Sequence, residues 1–297
     1  MRHARAYGVV GLVALVAGAV AFAQSTVEPL PDNPPVEVAP LDAGALAALA
    51  KTRPGDAEHG ATLAAACAAC HGLDGNPPAG LPYPRIAGQS ERYMAHQLAL
   101  FKSGERNTGL APAMIPFAVA LSPQDMRDVG AFFATQVASA GIADDAVVAE
   151  GPYKGMKFYE IGQTLFRSGD AKRGLPACMA CHGPAGAGNP GPAYPAVAGQ
   201  EAAYVERRLQ EYRAGTTPQQ DRHLFDVMAS VAASLSDQEI QALSSYLQGL
   251  HQRPDAATLA AIEAAPAAPA PAAAPAPVAE PPADAEAAPA DTAPQGT

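Results

Sequence analysis

An all-α chain made of two small tandem helical domains is what this sequence predicts, on three observations. The pentapeptide Cys67-Ala68-Ala69-Cys70-His71 returns as Cys178-Met179-Ala180-Cys181-His182, and the two copies use all four cysteines of the 297 residues. A long internal repeat surrounds them, at separations of 111 to 114 positions, the mark of a duplicated unit. Apolar residues between the motifs keep helical spacing, and no segment shows convincing strand alternation.

Taken in order, the chain opens with Arg2 and Arg5 ahead of an apolar run over 9–22 that closes on Ala21-Phe22-Ala23. This is the pattern of a secretory signal peptide, residues 1–23, cleaved after Ala23. The run falls short of the roughly 20 residues that a spanning helix needs, and no later stretch is better suited. The mature chain is therefore expected to be soluble or peripherally held at a membrane. Residues 24–51 carry Pro29, Pro31, Pro34, Pro35 and Pro40 and read as an extended tether. A first domain is expected over 52–140, a linker over 141–165 and a second domain over 166–252. Residues 253–297 are Ala/Pro-rich and acidic, a composition that cannot build a core and reads as a disordered tail. The formal net charge of −10 gathers in the tether, the linker and the tail, leaving both domains near neutral. With no basic stripe, nucleic-acid binding has no support.

The repeat aligns Gly55-Asp56-Ala57 and Gly60 with Gly169-Asp170-Ala171 and Gly174, Tyr83-Pro84 with Tyr194-Pro195, and Ala87-Gly88-Gln89 with Ala198-Gly199-Gln200. Residues 56–66 read as an Ala-rich helix running into the first motif, with Gly60 where a close helix contact is possible. A later helix shows Met94, Leu98 and Phe101 on one face, matched by Val205, Leu209 and Tyr212. The last helix starts at Ser122 with Pro123 at its first position, and in the second copy Ser236 and Glu239 make a capping box. Its buried face is expected to be Met126, Val129, Phe132 and Phe133, then Ile240, Leu243, Tyr246 and Leu247.

Cys-x-x-Cys-His is the attachment sequence of a c-type haem. On a helix, residues i, i+3 and i+4 share a face, so two thiols and an imidazole can meet one flat macrocycle. Cys67, Cys70, Cys178 and Cys181 are then thioether anchors of two covalently bound haem c groups, with His71 and His182 as iron ligands. A zinc site would place two Cys-x-x-Cys pairs about 15–20 residues apart, and a thioredoxin-like dithiol needs strands beside it; neither condition is met. For the opposite axial position the repeat selects Met114 and Met228, the two methionines that align with each other, both in stretches read as irregular. His59, His96, His223 and His251 are expected at the surface, His223 being the rival nearest to Met228. Pro84 and Pro195 are candidates for the carbonyl that fixes each ligating imidazole; a turn proline is the alternative.

With these residues in view, each half resembles a class I cytochrome c, and the pair is similar to the dihaem cytochrome c4 family over roughly residues 52–252. Cys-Ala-Ala-Cys-His-Gly, Cys-Met-Ala-Cys-His-Gly, both Ala-Gly-Gln segments, and Met114 and Met228 each ahead of Leu-Ser carry the resemblance. It implies two haem-wrapping domains facing each other about a pseudo-two-fold axis, in a periplasmic protein that passes single electrons from a quinol-oxidising complex to a terminal oxidase. A cytochrome subunit of a periplasmic dehydrogenase is the second reading. A haem peroxidase is the third, and it conflicts with the paired methionines, which leave no vacant iron position. The Pro-rich tether, the Ala/Pro tail and an insertion around Tyr153-Lys154-Gly155-Met156-Lys157 depart from the family pattern.

Overall fold

The computed structural model describes residues 44–78 and 80–251; the expected signal peptide, most of the tether and the expected tail lie outside them. The first half contains α1 (Ala45–Leu49), α2 (Ala57–Ala64), the single-turn α3 (Ala68–His71), α4 (Glu91–Lys102), α5 (Ile115–Val119) and α6 (Pro123–Ala134). The second contains α7 (Phe158–Ser168), the single-turn α8 (Met179–His182), α9 (Ala202–Ala214), α10 (His223–Ala232) and α11 (Asp237–Gly249). Among the described residues β pairing is confined to three isolated bridges, and no described helix is long and apolar enough to cross a membrane.

Polar caps set where the helices begin. Asp56 accepts from the backbone N–H groups of Glu58 and His59 at the head of α2, and Ser90 accepts from Tyr93 at the head of α4. Ser122 with Asp125, and Ser236 with Glu239, close reciprocal capping boxes on α6 and α11, satisfying donors that a helix start leaves unpaired. Each half has its own core. Met126, Val129 and Phe133 of α6 meet Met94, Leu98 and Phe101 of α4; Ile240, Leu243 and Leu247 of α11 meet Ile161, Leu165 and Phe166 of α7 and Leu209 of α9. Phe132, expected inside, is only partly buried at the edge.

Two features differ from the sequence reading. Residues 45–49 fall inside the expected tether, yet they form α1, bury Ala45 and pack Leu46 and Leu49 on the first core. The prolines stop at Pro40, and the Ala/Leu run after it is free to be helical. The second concerns the repeat. A Cβ at Gly60 would collide with the carbonyl of Asp128 and with Phe132, and one at Gly162 with the carbonyl of Ala242 and with Tyr246. Asp128 and Phe132 are the repeat partners of Ala242 and Tyr246, so Gly162 is the structural counterpart of Gly60. Gly174 has open space around it. The Gly-Asp-Ala match was a local coincidence, and α7, much of which lies in the expected linker 141–165, is the first helix of the second half. The second copy therefore has an extra loop between that helix and its Cys-x-x-Cys-His motif.

The halves meet through matched segments. The Gln89 side chain pairs with the backbone of Ala196, and that of Gln200 with the backbone of Arg85. Since residue 196 repeats 85 and residue 200 repeats 89, the contact is reciprocal, as a pseudo-two-fold relation requires.

Candidate haem sites

Each motif occupies one helical turn stopped by a glycine with positive φ, Gly72 at 77° and Gly183 at 80°, a backbone state that side chains with a Cβ disfavour. The chain therefore turns away directly after the histidine. His71 and His182 are buried, and Nδ1 of each lies 2.9 Å from a carbonyl oxygen, that of Pro84 and that of Pro195 respectively. A carbonyl can only accept, so Nδ1 carries the proton and Nε2 keeps its lone pair for a metal. Burial pulls both imidazoles below their ordinary pKa of 6.5, outweighing the opposite pull of the carbonyls, and a neutral ring is the form that ligates. None of the four cysteines is joined to another in a disulfide.

A cavity of about 930 Å³ is lined by Cys67, Cys70, His71 and Met114 from one half and by Cys178, Cys181, His182 and Met228 from the other. That volume sits at the upper end of the roughly 300–1,000 Å³ of small-molecule sites. Most of the remaining wall is apolar, with Leu98, Phe101 and Phe133 on one side and Leu209, Phe225 and Leu243 on the other. Met114 ends a 3₁₀ turn, Ala111–Met114, whereas Met228 stands inside α10. Met228 is thus helical rather than in an irregular stretch, because Leu224, Phe225, Val227, Met228 and Val231 have helical apolar spacing. Both sulfur-bearing side chains are half-buried against their own cores.

Of the other histidines, His59, His223 and His251 are exposed, and His223 does not line the cavity. His96 departs from expectation: it is half-buried in the cavity wall, and burial lowers its pKa. Arg106 is a cavity residue with no local signal in the sequence. Arg106 is buried at 9% exposure, donates from Nη1 to Gln97 at 2.6 Å and from Nη2 to the Tyr204 hydroxyl at 3.0 Å, and has no partner at Nε. Arg208 and Tyr93 line the same wall. An orphaned guanidinium nitrogen in a mostly apolar cavity suits an anionic substituent, and haem carries two carboxylates on one edge. The residues present therefore fit a haem in each half. Among the described residues, a group of three able to hold a bare metal ion is His59, Asp125 and Asp128, which the cavity does not include.

Comparison with known proteins agrees with this geometry. The family described as Cytochrome c matches residues 57–136 and 159–251. The cytochrome c4 of Pseudomonas aeruginosa is 42% identical over 197 residues, covering 66% of this chain and 90% of that protein. A thiosulfate dehydrogenase electron acceptor of Stutzerimonas stutzeri is 37% identical over 194 residues, covering 64% and 81%. Reduced recombinant cytochrome c4 from Pseudomonas stutzeri superposes with a TM-score of 0.57 at 41% identity, over 66% of this chain and all of that one. With one haem motif, one buried histidine and one cytochrome c match in each half, the chain belongs to the cytochrome c4 family, and it is an electron-transfer protein with two covalently bound haem c groups.

Proposed function

We propose that His71 with Met114, and His182 with Met228, are the two axial ligand pairs, that Cys67, Cys70, Cys178 and Cys181 form the thioethers, and that Pro84 and Pro195 orient the imidazoles. The observation carrying this reading is that each half brings its histidine, both cysteines and the repeat-paired methionine to one apolar cavity. Bound haem supplies reversible one-electron chemistry. Around it the chain's own groups have simple tasks. The proline carbonyls hold each ring in one tautomer, the thioether is a soft, weak donor that favours ferrous iron, and the apolar wall excludes water. Arg106 is placed to receive a haem carboxylate. Were His71 with Met114 and His182 with Met228 to hold the two irons, oxygen and peroxide would find no open position, which favours electron transfer over peroxidase chemistry.

Redox proteins are the partners of such a carrier. Its place is inferred to be the periplasm, reached through the signal peptide at 1–23, between a quinol-oxidising complex and a terminal oxidase. A second reading is supported by the likeness to thiosulfate dehydrogenase electron acceptors: this chain would take electrons from a periplasmic dehydrogenase.

Oxidised protein should show a sulfur-to-iron absorption band at the red edge of the visible spectrum. Met114→His and Met228→His should each remove about half of it, and the double variant all of it. A band untouched by both substitutions would rule out these ligands. Stopped-flow reduction by a quinol-oxidising complex against reduction by a dehydrogenase separates the two partner readings.

A further inference from the structure

The peptide unit joining Pro84 to Arg85 uses both of its polar atoms. Its carbonyl accepts the Nδ1–H of His71 at 2.9 Å, and its N–H donates to Oε1 of Gln200, in the other half, at 2.7 Å. The unit joining Pro195 to Ala196 does the same, accepting from His182 at 2.9 Å and donating to Oε1 of Gln89 at 3.0 Å. Each amide also returns its Nε2–H to the following carbonyl, Gln200 to Arg85 at 2.9 Å and Gln89 to Ala196 at 2.7 Å. That second bond fixes which end of the amide faces the N–H. Both glutamines are buried, at 4% and 6% exposure.

We propose that Gln89 and Gln200 are crossed positioning residues: Gln200 tunes His71 and Gln89 tunes His182, so that each haem's reduction potential is set in part by a side chain of the opposite half. Hydrogen bonds in series polarise one another. An acceptor placed on the N–H of a peptide enriches its carbonyl oxygen, which then draws more strongly on the imidazole Nδ1–H. The ring becomes a more basic ligand, ferric iron is favoured, and the potential falls. The relay ending at His71 has the shorter hydrogen bond between its peptide N–H and its glutamine, and that bond is buried while its mirror is partly exposed; although the Gln200 Oε1 also accepts the longer bond from the Glu201 N–H, at 3.0 Å, Gln200 should act more strongly than Gln89. This inference rests on His71 and His182 being the iron ligands.

Gln200→Met and Gln89→Met keep length and bulk while removing the amide acceptor. In the haem-loaded chain, the two midpoint potentials are resolved by NMR-monitored redox titration, and the Nδ1–H resonance of each ligating histidine is recorded in the same samples. Gln200→Met is expected to raise the potential of the first-half haem several-fold more than that of the second and to shift the His71 Nδ1–H signal. Gln89→Met should do the reverse, more weakly, and carries the same test should Gln200→Met fail to fold. Equal movement of both potentials, as loosened docking would give, or movement confined to the half bearing the substitution, overturns the proposal. Absence of imidazole Nδ1–H resonances from the wild-type holoprotein would instead remove the ligand assignment beneath it.

Discussion

Arg85 of the first half and Glu201 of the second form an ion pair 2.7 Å long whose side chains keep only 7% and 11% of their surface in solvent. Arg85 also donates to the Ser139 hydroxyl at 3.0 Å and to the carbonyl of Gly199. Removing one member of such a pair leaves a buried charge uncompensated. Glu201→Gln should therefore lower unfolding stability by about 3 kcal/mol, read from urea denaturation of the holoprotein. A loss below about 1 kcal/mol, the value of an exposed pair, would mean that water reaches this contact.

The close crossings at Gly60 and Gly162 make a second test, because the sequence repeat and the structure disagree on which glycine matches Gly60. Gly162→Ala and Gly60→Ala must push α7 off α11 and α2 off α6, at a cost of about 3 kcal/mol each. Gly174→Ala meets no neighbour within 4 Å and pays only for its left-handed backbone, about 1 kcal/mol. Thermal unfolding of the three variants gives the order; Gly174→Ala as the most damaging would restore the other alignment.

His59 accounts for a pH dependence. The hydrogen bond from its Nδ1 to Asp128, 2.8 Å long, raises its pKa above 6.5. A raised folded-state pKa means that the stabilisation is complete below about pH 6.5 and is lost as pH rises through the raised value. Asp128 sets the lower limit. Its burial favours the neutral acid, but donors from the Asp56 backbone, His59 and Gln124 outweigh it and hold the carboxyl below the usual 3.8, so its contribution disappears as pH falls through that depressed value. NMR titration of His59 should show the raised midpoint, and Asp128→Asn should return it toward the ordinary value. An unchanged midpoint in that variant would assign the shift to another group.

Tyr153, in the insertion before α7, donates its hydroxyl to Glu239 at 2.5 Å, and Arg173 grips the same carboxylate at 2.6 Å. Burial first, then the bond to Glu239, pushes the phenol up to about 12. Phenolate absorbance of the wild type minus that of Tyr153→Phe should rise near pH 12 rather than near 10. Stability drawn from this contact is full below pH 10 and lost through pH 12. A difference spectrum that develops near pH 10 would show the hydroxyl free.

Much of the haem chemistry could be read from local spacing. Cys-x-x-Cys-His and the Ser122 and Ser236 caps are short-range patterns whose meaning depends on a few adjacent positions. So are the apolar faces of α4, α6, α9 and α11, whereas Met114 and Met228 stand out only through a repeat 114 positions long. The misreadings arose where a local signal was weak or duplicated by chance. Gly169-Asp170-Ala171 imitates Gly55-Asp56-Ala57 while its loop does a different job, and five Ala/Leu residues were counted with the prolines before them. Gln89 and Gln200 were visible as repeated letters, but their role depends on backbone atoms more than a hundred positions away, and Arg106 finds its partner Tyr204 at similar range. No periodicity encodes such contacts.

Because each glutamine grips main-chain atoms, the identity of the residue at positions 85 and 196 is invisible to the grip. One site is arginine and the other alanine, and the same pair of bonds is made at both. Arg85 makes a salt link and bonds to a hydroxyl and a carbonyl, while Ala196 makes nothing comparable among the described contacts. A seam that reads backbone rather than side chain lets duplicated twins drift apart in character and still hold hands.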